Sequence, residues 1–279
     1  MNQRLPFVIG GCIVLLIVCC LGSAVMWFVF QDQIGQMLGV SQQNTGIPTA
    51  SANAGRTPSS SAQRTVPTSP ARATSVPKVG ATATQAELGK ILFQDDFSDS
   101  NSGWVETDLG DVRFKYDSGA YSIALTQGGL FSFSVLPEHT FDNVSIETDA
   151  TLASGPTNSI YGITCRATAA TVLQKAYEFL ITADGGFGIV KVTGPNAGDS
   201  KLLGQEGKSS VIHPGNATNH LRADCSASRL ALYVNGSKLL SVSDSDFKQG
   251  QIGFAISSPS NSSGYQVRFD NFVVREAKP

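Results

Sequence analysis

After residue 85 the sequence breaks into short runs in which apolar and polar residues alternate, each run closed by Gly, Asn, Asp or Ser. Alternation with a period of two sends successive side chains to opposite faces of an extended chain, so each run reads as a strand with one packed face. In VSIETDATL, Val144, Ile146, Thr148, Ala150 and Leu152 fall on one face, and Ser145, Glu147, Asp149 and Thr151 on the other. The same reading predicts strands near 90–97, 112–116, 119–125, 130–135, 143–152, 159–167, 175–182, 186–193, 201–204, 218–225, 228–234, 237–242, 250–257 and 265–274. No segment has a helical period. Two hairpins are specified locally, by Asp184-Gly185-Gly186 and by Asn235-Gly236, because these residues tolerate positive φ. Roughly a dozen strands in about 190 residues predict an all-β domain, a two-sheet antiparallel sandwich with one substantial core.

What precedes this domain, residues 86–279, differs in texture. Residues 6–30 carry no charge and are dominated by Ile, Val, Leu, Phe, Cys and Gly, a run long enough to span a bilayer as a transmembrane helix. A cleavable secretory signal is the rival reading, with Gly22-Ser23-Ala24 as its cleavage site, but the apolar run continues through Val25 to Phe30, which favours an uncleaved anchor. Arg4 lies in the short segment 1–5 on the amino-terminal side, whereas no basic residue follows the run until Arg56. That asymmetry places the N-terminus in the cytoplasm and the large domain outside it, in a single-pass cell-membrane protein. Residues 31–85, with TPSSSAQRTVPTSPARATSVP at their centre, are rich in Ser, Thr and Pro and have few large apolar groups. Such a tract cannot bury enough surface to offset its ordering entropy and reads as a disordered linker.

Cys165 and Cys225 both lie in predicted strands of a domain placed outside the cytoplasm, where disulfides persist. A Cys165–Cys225 disulfide is the expectation, with two buried free thiols as the alternative. Cys-x-x-Cys spacing is absent, which removes the usual zinc and thioredoxin patterns.

Several stretches in order, QDDFSDSNSGW, GITCR, YEFLITADGGFGIVKV, LYVNGSKLLSVSDSDFKQGQIGFAI and the closing YQVRFDNFVV, resemble the concanavalin A-like lectin/glucanase superfamily. Within it they are most similar to laminin-G-like and keto-disaccharide-hydrolase-like modules. The resemblance spans residues 92–275 and implies a jelly-roll sandwich whose first and last strands are adjacent. It also implies carbohydrate binding as the leading function, and a structural calcium as the one candidate cofactor, for which Asp96 and Asp270 would supply ligands. Solvated turn carboxylates are the simpler reading of the same residues.

Glucanases of this superfamily resemble Glu-x-Asp-x-x-Glu on one strand, because retaining hydrolysis needs two carboxyl groups. Here Glu147 and Asp149 match, but the last position is Leu152, which cannot protonate a leaving group. Catalysis by that route is not expected, and hydrolysis with a non-standard acid is the weakest of three readings. A binding module is the strongest. Sugar sites pair aromatic platforms with polar groups, so Trp104, Tyr161, Arg166, Tyr177, Glu147, Asp149 and Glu178 are the candidates, provided they share a face. A display or protein-interaction ectodomain, binding a cell-surface protein, is the other alternative. His139, His213 and His220 show no ligand spacing. Residues 89–279 hold 15 Lys and Arg against 20 Asp and Glu, a net charge of −5 with no basic patch, which excludes nucleic acid as the expected partner.

Overall fold

The computed structural model describes residues 89–169 and 172–278. The expected membrane segment 6–30, its flanking residues 1–5 and the linker 31–85 lie outside the described residues. Among the described residues no helix is long and apolar enough to cross a membrane.

Fifteen strands are described. In chain order they are β1 (Ile91–Asp95), β2 (Thr107–Asp108), β3 (Val112–Tyr116), β4 (Tyr121–Leu125), β5 (Phe131–Val135), β6 (Val144–Ser154), β7 (Ile160–Ala169) and β8 (Leu173–Thr182). Then follow β9 (Gly186–Val192), β10 (Ser200–Lys208), β11 (Asn219–Ser226), β12 (Arg229–Val234), β13 (Ser237–Ser243), β14 (Gln251–Ser257) and β15 (Tyr265–Glu276). All recorded pairings are antiparallel. They build a nine-stranded sheet in the order β13-β12-β11-β6-β15-β4-β3-β2, with β1 added on β15, and a six-stranded sheet in the order β10-β9-β8-β7-β14-β5. The first and last strands are adjacent, as the resemblance implied.

The two sheets meet across one core because alternate residues of each point inward. From the nine-stranded sheet come Ile123, Ile146, Leu152, Leu221, Val267 and Phe269, and from the other Tyr161, Ile163, Tyr177, Phe179, Ile189 and Phe254. Phe254 of β14 stacks on Phe269 of β15 with ring centroids 3.9 Å apart, joining the layers at their centre. Trp104 packs its ring on Phe254 and Tyr121 in the same core.

The opening Asp cluster anchors this packing. Asp95 accepts the Trp104 indole N–H at 3.0 Å and the Phe97 backbone N–H at 2.8 Å, and also accepts from Ser102. Asp96 accepts from the backbone and hydroxyl of Ser98, which holds its carboxyl below the usual carboxylate range. Asp99 accepts from the backbone of Asn101. The stretch after β1 is therefore a chain of Asx turns that delivers Trp104 to the core. Among the described residues no three His, Cys, Asp or Glu side chains converge in the way a metal ion needs.

Cys165 on β7 and Cys225 on β11 form a disulfide that ties one sheet to the other. Beside it Arg166, at φ 51°, sends its guanidinium to the carbonyls of Asp142, Ala227, Phe247 and Cys225 at 2.8–3.3 Å. The hairpin turns read from the sequence are present: Asn235 and Gly236 have φ of 49° and 80°, and Gly185 has φ 100°.

Because the disulfide closes a loop across 60 residues, opening it removes about 4 kcal/mol of stability on the chain-entropy scale. Urea denaturation of a Cys165→Ser, Cys225→Ser variant is expected to show a lower midpoint, with a slope equal to or steeper than that of the parent because the unfolded chain is no longer cross-linked. An unchanged midpoint would show that the cross-link carries no stability.

Candidate functional site

Strand β6 follows the alternation of its sequence, with Val144, Ile146, Thr148, Ala150 and Leu152 buried and Glu147, Asp149 and Thr151 half-buried on the outer side. Its neighbours place polar residues in the same rows. Asp149 is opposite His220 on β11 and Asp270 on β15, Thr151 is opposite Arg268, and Glu147 is opposite Arg222. The pairing of β6 with β11 runs without a register shift. Leu152 consequently faces the core, on the other side of the sheet from Glu147 and Asp149. The third position of the glucanase-like pattern thus carries no carboxyl and points the wrong way.

The pairing of β6 with β15 does shift, between Asp270 and Val273. The irregularity lies at Asp270-Asn271, where Asn271 takes φ 50°, a left-handed conformation that Asn tolerates better than most residues. A bulge re-aims side chains, and here Asn271 donates its amide to Asp149 Oδ2 at 2.9 Å. His220 Nδ1 meets the other oxygen, Asp149 Oδ1, at 2.8 Å. Asp149 is therefore held from both sides while its strand neighbours frame a shallow cleft. Ser118, Asp149, Thr151, Thr218, Arg268 and Asp270 line this cleft, whose volume is about 270 Å³. Thr151 and Thr218 bond through their hydroxyls at 2.8 Å. Arg268 is steadied by the Asp117 carbonyl at 2.6 Å, and Asp117 itself is held below its ordinary range, first by a hydrogen bond from Lys115.

Carboxylates, hydroxyls and one guanidinium thus face the same small volume. Such a set can accept from and donate to a ligand with many hydroxyl groups, in adjacent positions and both senses. Two of the candidate residues, Asp149 and Asp270, meet in the cleft, and Glu147 lies in the same outer row of β6. Asp96 lies in the turn after β1 and is not among the groups lining the cleft.

The remaining candidates do not share that face. Trp104, Tyr161 and Tyr177 are core side chains. Burial pushes the Tyr161 hydroxyl up to about 12, and Tyr177 reaches about 12 by burial and by its hydrogen bond to Asp244. Their sequence setting hid this, because β7 and β8 are apolar on both faces and periodicity cannot say which side is inside. Arg166 is saturated by backbone carbonyls and is a packing clamp at the end of the sandwich. Arg268, Thr151 and Thr218 line the cleft, and His220 and Asn271 hold Asp149, but none of the five was a candidate from the sequence. Only the register between β6, β11 and β15 brings them together.

Glu178 lies on β8, one residue after inward-facing Tyr177, and so points to the outer face of the six-stranded sheet. It is fully buried and neither carboxyl oxygen has a hydrogen-bond partner. Burial pushes its carboxyl up to about 8. Thr164, directly across on β7, also has an unpartnered hydroxyl.

No family model and no curated protein matches this sequence. Among solved structures, the chain is similar to the carbohydrate-binding module CBM66 from Bacillus subtilis, at 17% identity and a TM-score of 0.50 over 62% of this chain and 96% of that one. It is also similar to a protein of unknown function with a galectin-like fold from Bacillus subtilis, at 14% identity and a TM-score of 0.53 over 68% of this chain and 97% of that one. These likenesses show the fold, a galectin-like β-sandwich, and no more.

A carboxyl whose value is raised in the folded state is protonated there while the unfolded chain has already ionised, so stability falls as pH rises between the two values. For Glu178 that window runs from the ordinary carboxylate range near 4.5 to about 8. Glu178→Gln is therefore expected to raise the urea midpoint at pH 8 and to leave it little changed at pH 4. An equal effect at both pH values would show that Glu178 does not titrate in that window.

Proposed function

We propose that this chain presents a carbohydrate-binding sandwich outside the cytoplasm, held at a membrane by residues 6–30 through the Ser/Thr/Pro tract, and that it binds its glycan without turnover. The observation that carries the reading is the cleft on the nine-stranded sheet, where Asp149, Asp270, Arg268, Thr151 and Thr218 offer hydroxyl-matching partners around about 270 Å³. A sugar exposes a rim of hydroxyl groups, each both donor and acceptor, and a mixed set of carboxylates, hydroxyls and a guanidinium satisfies that rim better than a single type of group would. The sandwich shared with a carbohydrate-binding module supports the reading at the level of fold, which by itself does not decide function. The inward direction of Leu152 favours binding over hydrolysis at this strand, since no second carboxyl stands at the position of the acid in the glucanase-like pattern.

Asp149 and Arg268 are the two residues on which the reading depends most. Asp149 is positioned by His220 and Asn271, so its loss leaves their donors unpaired, and Arg268 is the cleft's cation. Screening the purified protein on a glycan array is expected to find saturable binding to at least one glycan. Asp149→Ala and Arg268→Ala should each weaken it at least tenfold, and a chelator should leave it unchanged. Binding that survives both substitutions would move the site elsewhere on the domain. Absence of binding to every glycan would favour the display or protein-interaction reading.

A further inference from the structure

The connection from β10 to β11, residues 209–218, borders two hollows in the surface. Its last residue, Thr218, lines the cleft that holds Asp149 and Arg268. Its first residues meet the β8–β9 turn around a second cavity, larger than the cleft at about 410 Å³. Asp184, Lys208, Ser209 and Ser210 give this cavity a polar rim, and Ile212 and Pro214 give it an apolar wall.

The cavity is formed in advance of any ligand, because turn and loop are tied together through their backbones. Ser209 N–H donates to the Gly185 carbonyl at 2.9 Å, and Gly215 N–H to the Ala183 carbonyl at 3.0 Å. Behind the loop, Asn235 donates to the Val211 carbonyl at 2.8 Å, and buried Asn219 bonds both the N–H and the carbonyl of His213. Gly185 has φ 100°, and a Cβ there would fall 3.2 Å from the Ser209 carbonyl oxygen, so the turn stays bare where it meets the loop.

The rim retains hydrogen-bonding capacity. Asp184 Oδ2 accepts from Lys208 Nζ at 2.9 Å, and Asp184 Oδ1 accepts from the Thr182 hydroxyl at 2.5 Å. An ammonium has three N–H donors and each carboxylate oxygen two acceptor sites, so donors and acceptors remain side by side after this pairing. A sugar ring matches such a lining, with neighbouring hydroxyls on its edge and C–H groups on its face. Between cavity and cleft the chain reads Gly215-Asn216-Ala217. Gly215 leaves open space where a Cβ would stand, and the Asn216 amide lies against the Ala153 carbonyl at 3.3 Å, so this ridge is low. Pro214 and Thr218, one on each side of it, are four residues apart, at most about 14 Å of extended chain. The bond from Ala217 N–H to the Pro214 carbonyl shortens that span further.

We propose that the Asp184–Lys208 cavity is a second sugar subsite, and that one uncharged oligosaccharide crosses the ridge at residues 215–217 to fill it together with the cleft. The proposal rests on the glycan reading of the cleft and adds the class of ligand, a neutral chain of several units in place of a single terminal sugar. The charges set that class. Asp184 and Lys208 balance each other, and the cleft sets Asp149 and Asp270 against Arg268, so a sulfated or carboxylated glycan meets no surplus of cations.

The full chain, purified in a detergent without a sugar headgroup, is titrated by calorimetry with glucan, xylan, mannan and chitin oligosaccharides graded from disaccharide to hexasaccharide. In the series that binds, affinity is expected to rise at least tenfold from disaccharide to hexasaccharide. Lys208→Ala and Ser210→Leu, both at exposed positions, are each expected to abolish that rise, Asp149→Ala to abolish binding at every length, and a heparin hexasaccharide not to compete. Affinity that does not depend on length, or a rise that both variants at the cavity retain, would overturn the second subsite and leave the cleft reading in place. Competition by heparin would overturn the neutral class. Absence of binding in every series would overturn the subsite and the cleft reading together.

Discussion

Strand β15 is where the sandwich closes. It pairs with β6 on one side and with both β4 and β1 on the other, so the start, the middle and the end of the domain are joined through one segment. Its alternation divides two tasks between neighbouring residues. Val267 and Phe269 enter the core, where Phe269 stacks on Phe254 of the other sheet, while Arg268 and Asp270 reach the cleft. A one-residue slip would exchange the two sets, placing a cation and a carboxylate in the core. The register that stabilises the fold is therefore the register that assembles the candidate site. The bulge at Asn271 adds the one irregularity that this site uses, turning an amide toward Asp149.

The two outward surfaces differ in kind. On the nine-stranded sheet, polar groups are paired and open to water, with His220 and Asn271 fixing Asp149, so a ligand there would exchange water for hydrogen bonds at little structural cost. On the six-stranded sheet, apolar side chains surround a carboxyl without partners. Leaving a buried polar group unsatisfied costs about 1–3 kcal/mol, and ionising it there would cost more, which is why Glu178 is held neutral across the physiological range. Such an expense is tolerable in a domain whose sheets are already locked together by the Cys165–Cys225 disulfide and the Arg166 carbonyl clamp.

Much of the architecture was legible before any coordinates. The period-two runs located nearly every strand, the Asn235-Gly236 and Asp184-Gly185 turns marked their hairpins, and Cys165 and Cys225 pair as expected. The two-residue strand β2 was missed because two residues cannot display a period. The site was legible only in part. Glu147 and Asp149 were identified by their pattern, but Arg268, Thr218 and His220 come from distant segments and meet only through register, which a single sequence does not display. Trp104, Tyr161 and Tyr177 were candidate platforms because aromatics with polar atoms suit sugars. Tyr161 and Tyr177 are buried because they fall on the inward rows of β7 and β8, and Trp104 because Asp95 draws its indole inward.

The contrast between an open polar face and a closed apolar one is tested most directly at Glu178. With the full chain labelled at the glutamate carboxyl carbon, NMR can follow that one resonance as a function of pH, a Glu178→Gln variant giving the assignment. A closed face without a polar partner predicts a carboxyl that stays protonated through neutrality and titrates at about 8. A midpoint in the ordinary carboxylate range, near 4.3 for an unperturbed glutamate, would mean that water reaches the carboxyl, and would contradict the closed face.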